Sequence, residues 1–454
     1  MLSYIAIKRF IRLIEWSLLF ALIIPTTVFS QSLEQAVANT LASSPEVRRA
    51  FNAYKAQQEQ VGQAFSGYLP SVDITAGYGW EKTDNPSTRA GSREDDALNP
   101  GEAGVSIRQV LFSGFQTQSE VERSKAEENS AYWSLVSTSE EQALKAVRVY
   151  IEYIQAKEVV LLSEENLKSH EAIYGQIKEK TDSGLGSAAD LYQITGRLAR
   201  AKSNLIVAKN NLMDAESNFV RVVNLTPKNL NPPQPDVALI PTTRQQAISF
   251  AEKEHPTLKV SSSDITAAKN QREAAKSAYY PEVSLEINGN WNNDNGGTLG
   301  HDNDIQTMLR VRYNLYNGGR DTALEQEMAY RIGESQEVNQ TAVRDVIEGT
   351  TLAWNARINL IEQIGYLKEH VIAARQTQSA YTLQFGLGQR TLIDLLDSEN
   401  EVFESRKDYI SAEYDFLIAE YRILNATGRL LSSLRVQPPF ASISRTQNES
   451  GETK

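Results

Sequence analysis

Four short stretches of the chain alternate apolar and polar residues with the period of a β-strand. In 71–80 the apolar set is Val72, Ile74, Ala76, Tyr78 and Trp80, and Ser71, Asp73 and Thr75 lie between them. In 283–291 Val283, Leu285, Ile287 and Trp291 alternate with Ser284, Glu286, Asn288 and Asn290. In 305–315 Ile305, Leu309, Val311, Tyr313 and Leu315 alternate with Gln306, Arg310, Arg312 and Asn314. The stretch 103–112 is a weaker match, because Gln109 falls on its apolar face. Strands are predicted over all four. One charged and one apolar face over about ten residues suits a transmembrane barrel with a wet lumen; a half-buried soluble sheet gives the same alternation. Trp80 and Trp291 each precede a loop rich in Asn, Asp, Gly and Ser, 81–102 and 292–304. That placement suits the aromatic girdle of a membrane interface.

Between the strand pairs the pattern changes to a helical period. The 14 prolines leave two long gaps, 101–226 and 282–437, and a proline inside a helix costs about 3 kcal/mol or more. In the second gap Leu360, Ile364, Leu367, Val371 and Ala374 step 4-3-4-3, a heptad seam. In the first, Leu144, Val147, Ile151 and Ile154 step 3-4-3. Helices are predicted over 115–182, 187–223, 319–385 and 390–428. The two longest would each extend about 100 Å at about 1.5 Å per residue, far more than a compact domain needs.

The plan is duplicated. Pro45, Tyr68, Pro70 and Trp80 recur 211 residues later as Pro256, Tyr279, Pro281 and Trp291. Gly114, Gly184 and Asp190 recur 204 residues later as Gly318, Gly388 and Asp394. One register change of seven falls inside the loop between paired strands, where insertions are tolerated. The chain divides into repeats 31–223 and 244–430, each reading helix, strand, loop, strand, very long helix, glycine turn, helix. A Pro-rich linker, 224–243, joins them. Pro70, Gly114, Pro281 and Gly318 mark the junctions between strands and helices. The polar tail 431–454 is expected to be disordered.

Composition narrows the class. The net charge of −11 argues against a nucleic-acid partner. Cysteine is absent, which excludes disulfides, thiolate metal sites, thiol nucleophiles and a lipidated N-terminal Cys. Mean hydropathy is −0.40, and the one long apolar run is N-terminal. Residues 1–30 read as a secretory signal: Lys8, Arg9 and Arg12, then an apolar core over 16–24, then Val28-Phe29-Ser30 before Gln31. An anchoring helix is the other reading. Four scattered histidines form no HExxH or Cys/His cluster, so no enzyme, metal or cofactor is expected.

Four strands cannot close a barrel, and an open edge cannot sit in lipid. Several chains would have to contribute; three would give 12 strands. The duplicated plan, the "YLP" and "YYP" strand entries, the "LFSG" and "LYNGG" exits, and "GLGQRTLIDLLD" at 386–397 together resemble the TolC-type outer-membrane channel family over about 32–430. The resemblance implies an α+β membrane protein in which long antiparallel helical hairpins form a trimeric α-barrel tunnel in the periplasm, continued by a 12-stranded transmembrane β-barrel in outer-membrane lipid. It implies a homotrimer, a periplasmic adaptor, and an inner-membrane transporter of ABC or RND type. The missing lipidation Cys tilts the expectation toward type I protein secretion over multidrug efflux. A periplasmic coiled-coil adaptor or scaffold is the alternative from another class.

The charged motif closes the reading. Ser187-x-x-Asp190 and Thr391-x-x-Asp394 both fit a capping box, with Gly184, Gly186, Gly386 and Gly388 supplying the helix-reversal turns. Asp394, Asp397 and Glu401 share one helical face, as a solvated acidic stripe also would. The family resemblance implies that this hairpin end is the periplasmic gate: Arg390 would bridge to Asp190, and Asp394 with Asp397 would form a constriction ring. Phe385 stands where the family carries a Tyr, so one hydrogen bond is expected to be missing.

Overall fold

The computed structural model describes residues 31–92 and 96–437; the expected signal 1–30 and the tail from 438 lie outside them. The two halves share one order. The first comprises α1 (Leu33–Ser43), α2 (Pro45–Phe65), β1 (Ser71–Tyr78), β2 (Glu81–Lys82), the short α3 (Pro86–Ala90), β3 (Ala97–Leu98), β4 (Gly101–Ser113), α4 (Gln116–Asp182) and α5 (Ala188–Val223). The second comprises α6 (Arg244–Glu254), α7 (Pro256–Ala275), β5 (Glu282–Asn293), β6 (His301–Arg312), α8 (Arg320–Gly386), α9 (Leu392–Ala426) and α10 (Leu430–Ser433).

Local chemistry sets the breaks. Pro45 and Pro256 open α2 and α7 at the first helical position, where no amide is needed. Each forces the residue before it out of the helical region. Ser44 and His255 then cap these helices, accepting the Val47 and Thr257 amides at 3.3 Å. The long helices α4 and α8 are 67 residues each. Gly114 (φ +63°) precedes α4; a Cβ there would lie 2.7 Å from the Ser277 carbonyl oxygen, so only glycine fits. Its counterpart Gly318 is also left-handed but stands in open space.

The sheet is antiparallel in the order β1-β4-β5-β6. Its register sorts most of the side chains, with Thr307 on the apolar face and Met308 on the polar face as exceptions. Val72, Ile107 and Ile287 share one row, and Ile74, Val105, Gly289 and Ile305 the next. The opposite face carries Asp73, Ser106, Asn288 and Gln306, then Ser71, Arg108 and Glu286. Glu286 pairs with Arg310 at 2.8 Å across this polar face. Gln109, the misfit of the sequence pattern, lies beside the bulge between Val110 and Phe112 and donates to the Tyr68 carbonyl at 3.1 Å. Every residue of β1 and β6 is exposed, including Ile74 at 78% and Ile305 at 77%.

Strand ends differ from expectation. β1 stops before Trp80, which is 70% exposed, and Trp291 lies within β5 rather than at its end. His301–Asp304, expected in a loop, pairs with Asn290–Asn293. There every residue but Trp291 is polar, so the alternation is lost while backbone pairing continues. The rest of 81–102 holds the β2–β3 hairpin and α3.

The tall helices stand in a row, α5–α4–α9–α8, with α2–α4–α7–α8 nearer the sheet. One large apolar core lies where α1, α2, α4, α5, α9 and α10 meet, built around Leu41, Tyr150, Ile151, Phe219, Tyr421 and Leu424. The Tyr150 hydroxyl reaches the carbonyls of Gln31 at 2.8 Å and Asn231 at 3.0 Å, tying the linker to it. Residues 431–437 correct the expected disordered tail: α10 packs Leu430, Leu431 and Leu434 into this core, and the Leu431 amide donates to Glu140 at 3.2 Å. The apolar spacing of those leucines outweighs the polar composition around them.

Candidate functional site

The two hairpins, α4–α5 and α8–α9, end side by side. Each reversal is a left-handed glycine closing the long helix. At the first, Gly184 (φ +79°) follows Asp182–Ser183, and the Leu185 amide donates to the Lys180 carbonyl at 2.9 Å. At the second, Gly388 has φ +75°, and the Gln389 amide donates to the Gln384 carbonyl at 2.9 Å. These bonds satisfy carbonyls left open at a helix C-terminus. The other two glycines are not equivalent. Gly186 packs on Thr181, leaving no room for a side chain, whereas Gly386 is the last residue of α8 and faces open space. In the 204-residue register Gly186 aligns with Arg390, so the arginine belongs to one hairpin only.

The caps also diverge. Thr391 and Asp394 form a complete capping box. The Thr391 hydroxyl, then its amide, hold the Asp394 carboxyl below its usual range, with Arg390 adding to the effect. At α5 the Ser187 hydroxyl accepts from the Ala189 amide at 3.2 Å. Asp190 closes no box, so that expectation fails in the first half.

The acidic stripe of α9 is divided among partners. Arg390 Nη1 lies 3.9 Å from Asp394, its Nε donates to Gln384 at 2.9 Å, and its guanidinium stacks 4.3 Å from the Tyr381 ring centroid. Glu401 lies 2.7 Å from His370 Nε2. Asp397 accepts from Arg197 of α5 at 2.6 Å, a link between the halves that sequence reasoning missed because 200 residues separate the partners. Within the chain Arg390 does not reach Asp190, and among the described residues the Asp190 side chain has no hydrogen bond or ion pair. Phe385 packs against a small apolar cluster of Ile173, Ile177, Ile194, Leu392, Leu395 and Leu396. The Lys180 ammonium lies 5.2 Å from its ring centroid, a second link between hairpins.

These side chains hold helix ends together; none forms a nucleophile–base pair. Among the described residues no cluster could hold a metal ion, and no helix is long and apolar enough to cross a membrane. A sheet with one apolar face, mounted on tall duplicated hairpins, is the arrangement that known proteins explain. The outer membrane efflux protein family profile matches residues 36–224 and 247–429.

The chain belongs to the outer membrane efflux protein family.

The two matched segments fall on the two halves. The chain is 24% identical over 377 residues to the outer membrane efflux protein BepC of Brucella suis, covering 82% of this chain and 80% of BepC. It is 24% identical over 408 residues to the outer membrane protein TolC of Vibrio cholerae, covering 84% and 87%. It is 19% identical over 415 residues to the alkaline protease secretion protein AprF of Pseudomonas aeruginosa, covering 88% and 86%. The solved outer membrane channel CmeC of Campylobacter jejuni superposes with a TM-score of 0.76 at 17% identity, covering 92% of this chain and 89% of CmeC. The fold is therefore that of the TolC-type channels. The protein is an outer-membrane channel with a periplasmic helical tunnel, not an enzyme. Channels of this kind work with periplasmic adaptors and inner-membrane transporters.

Proposed function

We propose that three copies of the chain close a 12-stranded barrel and a helical tunnel, forming the exit duct of a type I protein secretion system. The observation that carries the assembly is that the protomer is open along the same two flanks at every level. Among the described residues, β1 and β6 are the edges of the sheet, and α5 and α8 end the row of tall helices. Both end helices carry an exposed seam. On α5 it is Ala199, Ser203, Ile206, Asn210, Met213, Ser217 and Val220, and on α8 it is Ile358, Ile361, Gly365, Lys368 and Ile372, continued by the half-buried Trp354. Both step 3 and 4 as a coiled coil requires. The seams stand level: 11–32 residues from the start of α5, and 14–32 from the end of α8. A head-to-tail contact between unlike flanks closes into a ring where its rotation closes and runs on as a filament where it does not; three is the number the family resemblance implies. The apolar face of the sheet then meets lipid, and the polar face lines the lumen.

In this ring the α8–α9 turn of one protomer stands beside the start of α5 in the next. An Arg390–Asp190 bridge would therefore be a contact between protomers, which accounts for its absence within one chain. Asp394 and Asp397 face the narrowed mouth, with Asp397 already engaged by Arg197. An adaptor and an inner-membrane ABC transporter would dock here.

Secretion is favoured by the missing lipidation Cys and by the likeness to AprF; the likeness to BepC favours efflux of small molecules, by an RND-type partner, as a second reading. Deleting the gene separates them. Loss of a defined extracellular protein at unchanged drug tolerance supports secretion. A fall in drug tolerance with an unchanged set of extracellular proteins supports efflux.

A further inference from the structure

Between α4 and α8 the tall row changes helix: α9 stands there on the turn side, and α7 takes its place nearer the sheet. α9 ends at Ala426 and α7 begins at Pro256. At this change a cavity of about 780 Å³ opens between α4, α8 and the two helix ends. Its floor is apolar: Leu144 of α4, Val338, Ala342 and Val346 of α8, and Ala426 of α9. Thr350 ties the floor together, donating to the Val346 and Ala426 carbonyls at 2.7 and 3.3 Å. Gly349 also lines the cavity, and a Cβ there would meet nothing within 4 Å. This volume, with an apolar lining and few polar groups, is that of a small-molecule site.

Charge at the rim is predominantly negative. Glu334, Glu337 and Asp345 line it, against a single arginine, Arg422. Glu334 is engaged by Arg331 at 3.1 Å, while among the described residues neither Glu337 nor Asp345 has an ion pair. His255 adds no positive charge: its Nδ1 accepts from the Thr257 amide at 3.3 Å, and burial lowers its pKa. The duplicated plan does not demand this arrangement. In the 204-residue register Val338, Ala342, Val346 and Gly349 correspond to Ser134, Thr138, Gln142 and Lys145, so the apolar floor belongs to the second half alone. None of the lining residues lies on the α5 or α8 seams, so closure through those seams does not use this surface.

We propose that this cavity binds an organic cation with a bulky apolar body, the body on the floor and the charge at the Glu337 and Asp345 carboxylates. The floor supplies affinity, the rim selects the sign of the charge, and Arg422 opposes binding. Every lining residue belongs to one chain, so the site rests neither on ring closure nor on conduction, and its failure leaves the channel reading untouched.

The test is fluorescence anisotropy of rhodamine 123, a cationic xanthene dye, titrated with the purified protein in a non-ionic detergent. Empty micelles give the background, and fluorescein, with a similar body and negative charge, is the control. Saturable binding of rhodamine 123 and none of fluorescein is expected. Glu337→Gln with Asp345→Asn is expected to weaken binding by about fivefold to twentyfold, and Arg422→Gln to tighten it by about twofold to fivefold, given the usual worth of exposed charge pairs. A merely structural role for these side chains would not give effects of opposite sign. Gly349→Leu, placing an apolar group in the open space, is expected to abolish binding; if it disturbs folding, Ala342→Leu serves the same purpose. Absence of saturable binding, equal binding of fluorescein, or an affinity indifferent to either charge substitution overturns the assignment.

Discussion

The equatorial core and the turn end are built from the same hairpins, yet they hold the two halves together by different means. At the equator, continuous apolar layers join α1, α2, α4, α9 and α10, with Tyr421, Ile423, Leu424 and Leu430 almost wholly buried. Their polar edges are half-buried and hydrogen-bonded: the Tyr414 hydroxyl donates to Glu158 at 2.8 Å, and burial, that hydrogen bond and the neighbouring charge raise its pKa. At the turn end, six apolar side chains and two exposed charged contacts do the same task. The difference teaches where a tall helical tube can move. Apolar area fixes the girdle at roughly 25 cal/mol per Å² buried, while the end is kept together by contacts that solvent can replace.

The comparison is broken most severely by deleting matched leucines. Leu424→Ala at the equator is expected to cost about 2–5 kcal/mol per chain and to abolish heat-resistant oligomers on denaturing gels. Leu396→Ala, equally buried, removes the same atoms from the small cluster. Its expected effect is local: oligomers survive heating, while limited proteolysis at 183–187 and 387–391 accelerates. Equal global loss from both substitutions would show that the turn end is not a separate region.

A smaller effect sharpens the equatorial side. Burial pushes the Glu140 carboxyl up to about 7, against the opposing pull of the Leu431 amide. A carboxyl raised in the folded state binds more protons folded than unfolded between its ordinary value and 7. Stability therefore falls as pH rises through that window, and the penalty is complete above it. Glu140→Gln should raise the melting temperature at pH 8 and leave it nearly unchanged at pH 4.5. The gain, on the order of 1–2 kcal/mol, is limited by the unpartnered Oε2 position that the amide would inherit. The smallest effect is expected from Thr391→Ala, which removes the α9 cap for about 1 kcal/mol; hydrogen exchange over the first turn of α9 would report it.

Much of this was legible in the sequence, and the exceptions share a physical cause. Proline gaps and heptads placed the long helices within a residue or two, because helix exclusion of proline is a local rule. The strand alternation located all four strands but lost their ends where Asn290–Asn293 pairs with His301–Asp304. The exposed α5 seam went unseen because Ser203, Asn210 and Ser217 dilute its apolar positions. The two Ser/Thr-x-x-Asp motifs look alike in sequence, yet only Thr391 closes a box with its aspartate. Arg197–Asp397 had no local signal at all; it exists only because the fold lays α5 beside α9.

The central claim is closure of the ring through α5 and α8, and one measurement addresses it directly. Met213→Cys and Ile361→Cys place the only two thiols of the chain at matching heights on the two seams. Outer membranes carrying this variant are treated with a short bis-maleimide and run on a denaturing gel. Closure by three copies is expected to give a ladder that stops at the covalent trimer. Monomer alone, or a ladder that climbs past three, would contradict it.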